Sequence, residues 1–276
     1  MKINDFEEKA LWLRRELWKM VMRQRKGHIP SYYSCVEIIV ALYYAGVARV
    51  VKGLPEDPNR DRIIVSKGHA AAVQYPVLAD LEYFDRGELE RYTQPGGLLG
   101  MYADFRIPGI EGISGSLGHG VGMGSGFALA AKKNNKNYRT FVILGDGECY
   151  EGSIWEAAMF AAHHKLDNLV VIVDRNELCI LGKTKDLLSL GNLEAKWRSF
   201  GWETRSVNGH SFEELLDAFS LLGRTRGKPL SIIANTVKGK GISFMEGRAE
   251  WHNKMPDDEQ MATALEELGL KPLVEA

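Results

Sequence analysis

Between residues 139 and 235 the chain keeps one rhythm, and that rhythm limits the folds open to it. "RTFVILG" reads as a strand, "SIWEAAMFAAHHK" as a helix and "NLVVIVD" as a strand. "LEAKWRSFG" then reads as a helix, "WETRSV" as a strand, "SFEELLDAFSLLG" as a helix and "PLSIIAN" as a strand. Strands alternating with helices of about 10–15 residues form a parallel sheet covered on both faces. "FVIL", "LVVIV" and "SIIA" are unbroken apolar runs, as strands buried on both sides should be. The expected fold is therefore α/β, a three-layer parallel sheet with helices on both faces. Ligands of such sheets bind beyond the carboxyl ends of the strands.

The first half is less regular. Residues 5–25 place Phe6, Leu11, Leu13, Leu17, Met20 and Val21 at roughly helical spacing. "GHIPSYY" (27–33) breaks that helix, and 34–48 reads as a second, more buried one. "RIIVS" (62–66) is a short strand. Residues 70–84 are helical, with Pro76 either kinking the helix or standing in its first turn. The glycine-rich stretch 92–116 has no assignable pattern, whereas 117–132 reads as a helix whose glycines permit a close neighbour. Ser211 and Glu214 fit a capping box.

Composition removes several function classes. A net charge of −1 argues against a nucleic-acid surface, and no apolar run approaches the roughly 20 residues that span a bilayer. The charged, amphipathic start is unlike a signal peptide. Cys35, Cys149 and Cys179 lack metal or disulfide spacing, which fits a reducing cytoplasm.

The polar residues just past the strands carry the chemistry. They are "SKGH" (66–69), "GDGE" (145–148), "DRNE" (174–177) and "NTVKGKG" (235–241). Asp146 and Asn176 lie one strand–helix–strand unit apart, so a parallel sheet returns both to the same edge. Both offer oxygen, the ligand type Mg²⁺ and Ca²⁺ prefer, and Mg²⁺ completes its shell from phosphate and water. Glycines let backbone N–H groups approach a phosphate, and a helix start near Ser153 adds a favourable dipole. The residues thus read as a Mg²⁺–diphosphate site. The bland alternative for a lone GDG is a turn with an Asx cap.

GDG followed by about thirty residues and an asparagine resembles the thiamine diphosphate signature. "GDGECYEGSIWEAAMFAAHHKLDNLVVIVDRNEL" is similar to transketolases in particular. So are "KGHIP" (26–30), "DRIIVSKGHAAAVQY" (61–75), "PGIEGISGSLGHGVGMGSGFALA" (108–130) and "NTVKGKGISFMEGRAEWHN" (235–253). The resemblance runs from about residue 8 to 270 with its motifs in family order. It implies the diphosphate-binding (PP) domain of the thiamine diphosphate fold, occupying residues 1–276 as a single domain.

The resemblance also implies roles. Asp146, Asn176 and the main-chain carbonyl of Leu178 would ligate Mg²⁺, with Ca²⁺ or Mn²⁺ as substitutes. Gly145, Gly147 and Glu148 would line the diphosphate, with the Gly147 N–H donating to it. Ile180 would pack on the cofactor rings, and Gly115, Ser116 and Leu117 would meet the aminopyrimidine. His28, His69 and His252 would contact the diphosphate or the sugar hydroxyls and assist proton transfer. Glu151 matches a glutamate between two active sites, whereas the carboxylate of Glu148 is not needed for the metal and reads as a surface or interface group. His163, His164 and His210 read as structural.

Three departures stand out. Met101 occupies the place of a family histidine near the reacting end of the sugar, His119 replaces a glutamine, and Leu181 replaces an aspartate. Met101 makes the expected pocket less polar and points to a substrate unlike the common sugar phosphates, or to a weakened ketolase. The resemblance leads to the expectation that the glutamate that activates the aminopyrimidine, the second (Pyr) domain that carries it and the C-terminal domain stand on a separate chain. The resemblance therefore implies the N-terminal subunit of a split transketolase, paired with a second chain in an α2β2 heterotetramer. That assembly would move a two-carbon ketol unit from a ketose (phosphate) to an aldose. The alternatives are a component of another thiamine diphosphate enzyme, such as a 1-deoxyxylulose-5-phosphate synthase or 2-oxoacid dehydrogenase, or a non-catalytic cofactor-binding scaffold.

Overall fold

The computed structural model describes residues 2–271. The chain opens with α1 (Ile3–Gln24), α2 (Ile29–Tyr33) and α3 (Val36–Tyr44), then β1 (Arg62–Val65) and α4 (Tyr75–Asp80). After a long irregular stretch come α5 (Gly120–Lys133), β2 (Thr140–Gly145), α6 (Gly152–His163) and β3 (Leu169–Arg175). A small hairpin, β4 (Leu178–Cys179) and β5 (Gly182–Lys183), leads into α7 (Thr184–Leu187) and α8 (Leu193–Ser199). β6 (Glu203–Asn208), α9 (Phe212–Phe219), β7 (Leu230–Asn235) and α10 (Asp258–Glu267) complete it.

The five main strands lie in the order β1-β2-β3-β7-β6, and every pairing is parallel. The unbroken apolar runs serve two cores at once. Phe141, Ile143, Val170, Ile172 and Ile232 pack with α1, α3 and α9 on one face. Val142, Leu144, Val171, Val173 and Ile233 pack with α5, α6 and α8 on the other. The three-layer parallel arrangement read from the rhythm is the one found.

Details differ where packing overrides pattern. Phe6, Ala10, Leu13, Leu17 and Val21 form the inner face of α1, while Leu11 is 36% exposed. Pro76 stands in the first turn of α4, and Gly68–Gln74 before it is a 3₁₀ turn, so the segment is not one kinked helix. Only half of the expected capping box forms. Ser211 Oγ accepts from the Glu214 N–H, but the Glu214 carboxylate turns to the Asn208 N–H at 2.7 Å. Gly124 on α5 explains one of its glycines, since a Cβ there would stand 2.5 Å from Val142 on β2. Among the described residues no helix is long and apolar enough to cross a membrane.

Candidate active site

The sheet delivers its polar ends to one edge. Gly145 pairs with Asp174 and Arg175 with Asn235, so the segments after β2, β3 and β7 emerge side by side. A cavity of about 430 Å³ opens there. Its walls bring together His28, His69, Asp146, Asn176, Leu178 and His252 from segments far apart in the chain. Gly115, Leu117, Gly145, Gly147, Glu148 and Ile180 line it as well.

The three histidines form a cluster. Ring centroids are 5.6 Å apart for His28 and His69, 5.3 Å for His28 and His252, and 5.1 Å for His69 and His252. Burial lowers the pKa of all three, helped by Lys67 or Lys238. His69 falls to about 2 and His252 to about 4, so both are neutral at physiological pH. Lys238 Nζ donates to His252 Nδ1 at 2.9 Å. The imidazole proton of His252 then sits on Nε2, on the side away from the lysine.

Asp146 is buried at 2% exposure and accepts from two backbone N–H groups, Gly147 at 2.9 Å and Glu177 at 2.7 Å. It is therefore an Asx cap as well as a wall of the cavity. Burial, reinforced by the charge of Asp174, pushes its pKa up to about 7. Asn176 Oδ1 accepts from the Leu178 N–H at 3.1 Å. No group of three or more His, Cys, Asp or Glu side chains is arranged to hold a metal among the described residues. One carboxylate, one amide and one main-chain carbonyl remain as donors, a set that suits a cation taking most of its shell from phosphate and water.

Below the cavity lies a buried ion pair. Lys67 Nζ donates to the Asp174 carboxylate, to Ser31 O at 3.0 Å and to Ser34 Oγ at 3.3 Å. Ser34 Oγ at 2.6 Å and the Thr236 hydroxyl also donate to Asp174. Lys67 is held well above its ordinary pKa by Asp174 despite burial, and Asp174 is held below its own by Lys67. Lys238 is moved the other way, to about 8, by burial and then by Lys67.

The walls suit an anionic ligand on two further observations. Lys238 is a buried cation facing the cavity with no carboxylate salt-bridged to it among the described residues. His28 Nδ1 and Ser31 Oγ are buried and have no hydrogen-bond partner among the described residues. Buried polar atoms of this kind are uncommon and mark places where a ligand or water belongs.

Several expected residues stand elsewhere. Glu148 is no surface group. It is 2% exposed and its carboxylate accepts from Ser66 Oγ, from the Gly118 N–H at 2.8 Å and from the Gly145 N–H at 3.3 Å. With its oxygens committed to these donors, it lines the cavity without offering a free carboxylate. Ser116 and Glu151 are exposed and outside the cavity walls. Met101 is half-buried and does not line the cavity; Tyr102 does, its ring 6.2 Å from that of His28. The wall is thus not made apolar by Met101. His119 is exposed before α5, its Nδ1 3.1 Å from Leu117 O. α6 starts only at Gly152, after a 3₁₀ turn, and Ser153 Oγ donates to Gly118 O at 2.9 Å. Neither Gly152 nor Ser153 lines the cavity, so no helix dipole from α6 is aimed into it. His210 is structural as read: Nδ1 meets Glu37 at 2.9 Å and Nε2 accepts from the Val237 N–H.

Sequence reasoning missed Ser31, Tyr102, Cys179, Asn253 and the pairing of Lys67 with Asp174. The last had a signal, because Asp174 also ends an apolar strand with a carboxylate.

A family model described as "Transketolase, thiamine diphosphate binding domain" matches residues 12–275. The chain belongs to the transketolase family. It is 38% identical over 268 residues to one of the subunits of the apulose-4-phosphate transketolase of Phocaeicola vulgatus, covering 97% of this chain and 95% of that one. It is 37% identical to the 6-deoxy-6-sulfo-D-fructose transketolase subunit SqwG of a Clostridium species, covering 96% of each. Human transketolase is 35% identical over 254 residues, but only 40% of its length is covered. The solved transketolase of Campylobacter jejuni superimposes with a TM-score of 0.88 at 30% identity, covering 99% of this chain and 44% of that chain. The transketolase resemblance read from the motifs is borne out.

Proposed function

We propose that this chain is the N-terminal, diphosphate-binding subunit of a two-component transketolase. It would act with a partner chain that holds the aminopyrimidine and supplies the activating glutamate. The observation that carries this reading is the match to chains that are themselves named as transketolase subunits, over 95% or more of their length. Human transketolase and the Campylobacter jejuni structure are covered over 40% and 44% of theirs. The same match favours ketol transfer over the 2-oxoacid and deoxyxylulose alternatives and over a scaffold. In this reading residues 1–276 are one PP domain, and two copies of each chain form the heterotetramer.

Asp146, Asn176 and the Leu178 carbonyl would hold Mg²⁺ bound to the diphosphate. Thiamine diphosphate, when bound, supplies the carbanion that cleaves and rebuilds the bond next to a ketose carbonyl. The protein supplies position and proton management. Lys238 balances diphosphate charge in a desolvated site, while Lys67, paired with Asp174, holds the floor beneath it. Neutral His28, His69 and His252 each carry one donor and one acceptor nitrogen, suited to bind sugar hydroxyls and to take a proton. Ile180, 61% exposed at the cavity wall, and Leu181 beside it, 79% exposed, suit a face that a partner covers. The relatives act on apulose 4-phosphate and 6-deoxy-6-sulfofructose by name. A ketose outside the common sugar phosphates is accordingly the proposed donor. Three cysteines unpaired in the structure suit a reducing cytoplasm as its location.

The test is reconstitution. The purified chain should show no ketol transfer alone and gain it on mixing with the partner, thiamine diphosphate and Mg²⁺. Full activity of the chain by itself would refute the two-component reading.

A further inference from the structure

The loop that carries Gly115 and Leu117 into the cavity has no regular secondary structure. Something must hold it against the end of β2. Three groups do so. Gly118 donates its N–H to Glu148 Oε1 at 2.8 Å and accepts from Ser153 Oγ at 2.9 Å. Gly120 donates its N–H to Ser66 Oγ at 3.1 Å, and Ser66 in turn donates to Glu148 Oε1. Glu148 Oε2 faces the Gly145 N–H at 3.3 Å, one residue before Asp146. One buried carboxylate therefore ties the loop, the end of β1 and the end of β2 together.

The fit at the knot is close. Gly118 has φ +87°, and a Cβ there would stand 2.6 Å from Glu151 Cβ. Gly120 lies so near Ser66 that a Cβ would stand 2.3 Å from its side chain. The loop is held by a carboxylate whose two oxygens reach both halves of the cavity wall.

We propose that Glu148 is a positioning residue: it fixes the loop at Gly115–Leu117 in register with Asp146, so that one cofactor meets both. This rests on the thiamine diphosphate reading of the cavity. Glu148 acts through Gly118, Ser66 and Gly145, not by touching the cofactor with a free oxygen. Its carboxylate accepts from three donors, and no neutral side chain of similar size accepts from all three. Glutamine keeps one carbonyl oxygen for Ser66 and Gly118 but turns an NH₂ toward the Gly145 N–H.

The experiment uses the full chain mixed with its partner subunit, with thiamine diphosphate and Mg²⁺ as probes. Binding is followed by calorimetry, and the loop by amide hydrogen exchange over residues 113–120. Glu148→Ala is expected to weaken cofactor binding by about tenfold or more, as loss of a charge-assisted hydrogen bond would. It is also expected to speed exchange at Gly118 and Gly120. Glu148→Gln, which keeps an acceptor for Ser66 and Gly118 but loses the one for Gly145, should recover only part of the binding. Ser66→Ala, which leaves the carboxylate in place, should speed exchange at Gly120 more than at Gly118 and serves if Glu148→Ala does not fold. A merely structural role would lower the melting temperature while leaving affinity and loop exchange unchanged well below it; that result overturns the proposal. If the wild-type chain mixed with its partner subunit binds no thiamine diphosphate, the cofactor reading fails first and the positioning role falls with it.

Discussion

Replacing Lys67 with methionine tests the buried ion pair beneath the site. Methionine keeps most of the volume but removes the cation from Asp174, whose side chain is wholly buried. Ser34 and Thr236 still donate to the carboxylate, so it keeps two hydrogen bonds but loses its counter-charge. Removing one partner of a buried pair costs about 3–5 kcal/mol, because the other charge is left uncompensated. Unfolding a chain of 276 residues carries an entropy of roughly 0.6 kcal/mol/K, so the melting temperature should fall by about 5–9 °C. The pH dependence has a definite sign. In the native chain Asp174 is held below its ordinary pKa by Lys67, so its contribution is present above the unfolded value of about 3.9 and is lost as pH falls through the folded one. Without Lys67 burial dominates, the carboxyl is pushed up, and the variant loses stability as pH rises from about 4. The gap between the two proteins should therefore widen from pH 4 to pH 7. Urea denaturation across that range, without cofactor, measures it. A second variant combining Lys67→Met with Asp174→Leu should regain much of the loss. A gap below about 1 kcal/mol, or one that does not change with pH, would show that the pair is not the buried, coupled unit described here.

Other outcomes follow from the same geometry. Asp146→Asn should reduce Mg²⁺-dependent cofactor binding by at least about tenfold, read by calorimetry with the partner present, because the one charged oxygen of the proposed metal ligands is lost. His252 is held at about 4 against an unfolded value near 6.5, so the cofactor-free chain should lose stability as pH falls through that window. His252→Gln should reduce the slope there, leaving the part that His28 and His69 contribute, and an unchanged slope would assign it elsewhere. Gly68→Ala should destabilise the chain by more than about 3 kcal/mol in thermal unfolding, since a Cβ there would sit 1.9 Å from the Ser114 carbonyl oxygen.

The parts of the fold legible in the sequence are those governed by local pattern. β2, β3 and β7 can be found because doubly covered strands are written as continuous apolar runs. Asp146 and Asn176 can be placed at one edge because parallel connections return the chain there. The site residues that escape are held by contacts distant in sequence. Asp174 and Lys67 are 107 residues apart, and Glu148 is 82 from Ser66. No spacing rule reaches across such gaps. Glu148 reads as a surface group because its neighbours in sequence are a glycine and a half-polar turn, while its burial comes from a loop 30 residues upstream. Tyr102 and Met101 show the same limit. In an irregular segment adjacent side chains point to different places, and only the tertiary path decides which one reaches the cavity.

The two cores have a consequence for how such a chain can change over evolutionary time. Within β3, Val170 and Ile172 belong to one core, Val171 and Val173 to the other, and Asp174 follows as the strand's last residue but one. Two hydrophobic interiors and the approach to the site are interleaved letter by letter in a single stretch. A one-residue insertion between Leu169 and Asp174 would exchange the two interiors and carry Asp174 off Lys67 in the same step. Substitution is graded there, but a change of length is not. Tolerance for insertions and deletions should therefore sit in connections such as 132–139, with the spacing from Leu169 to Asn176 fixed.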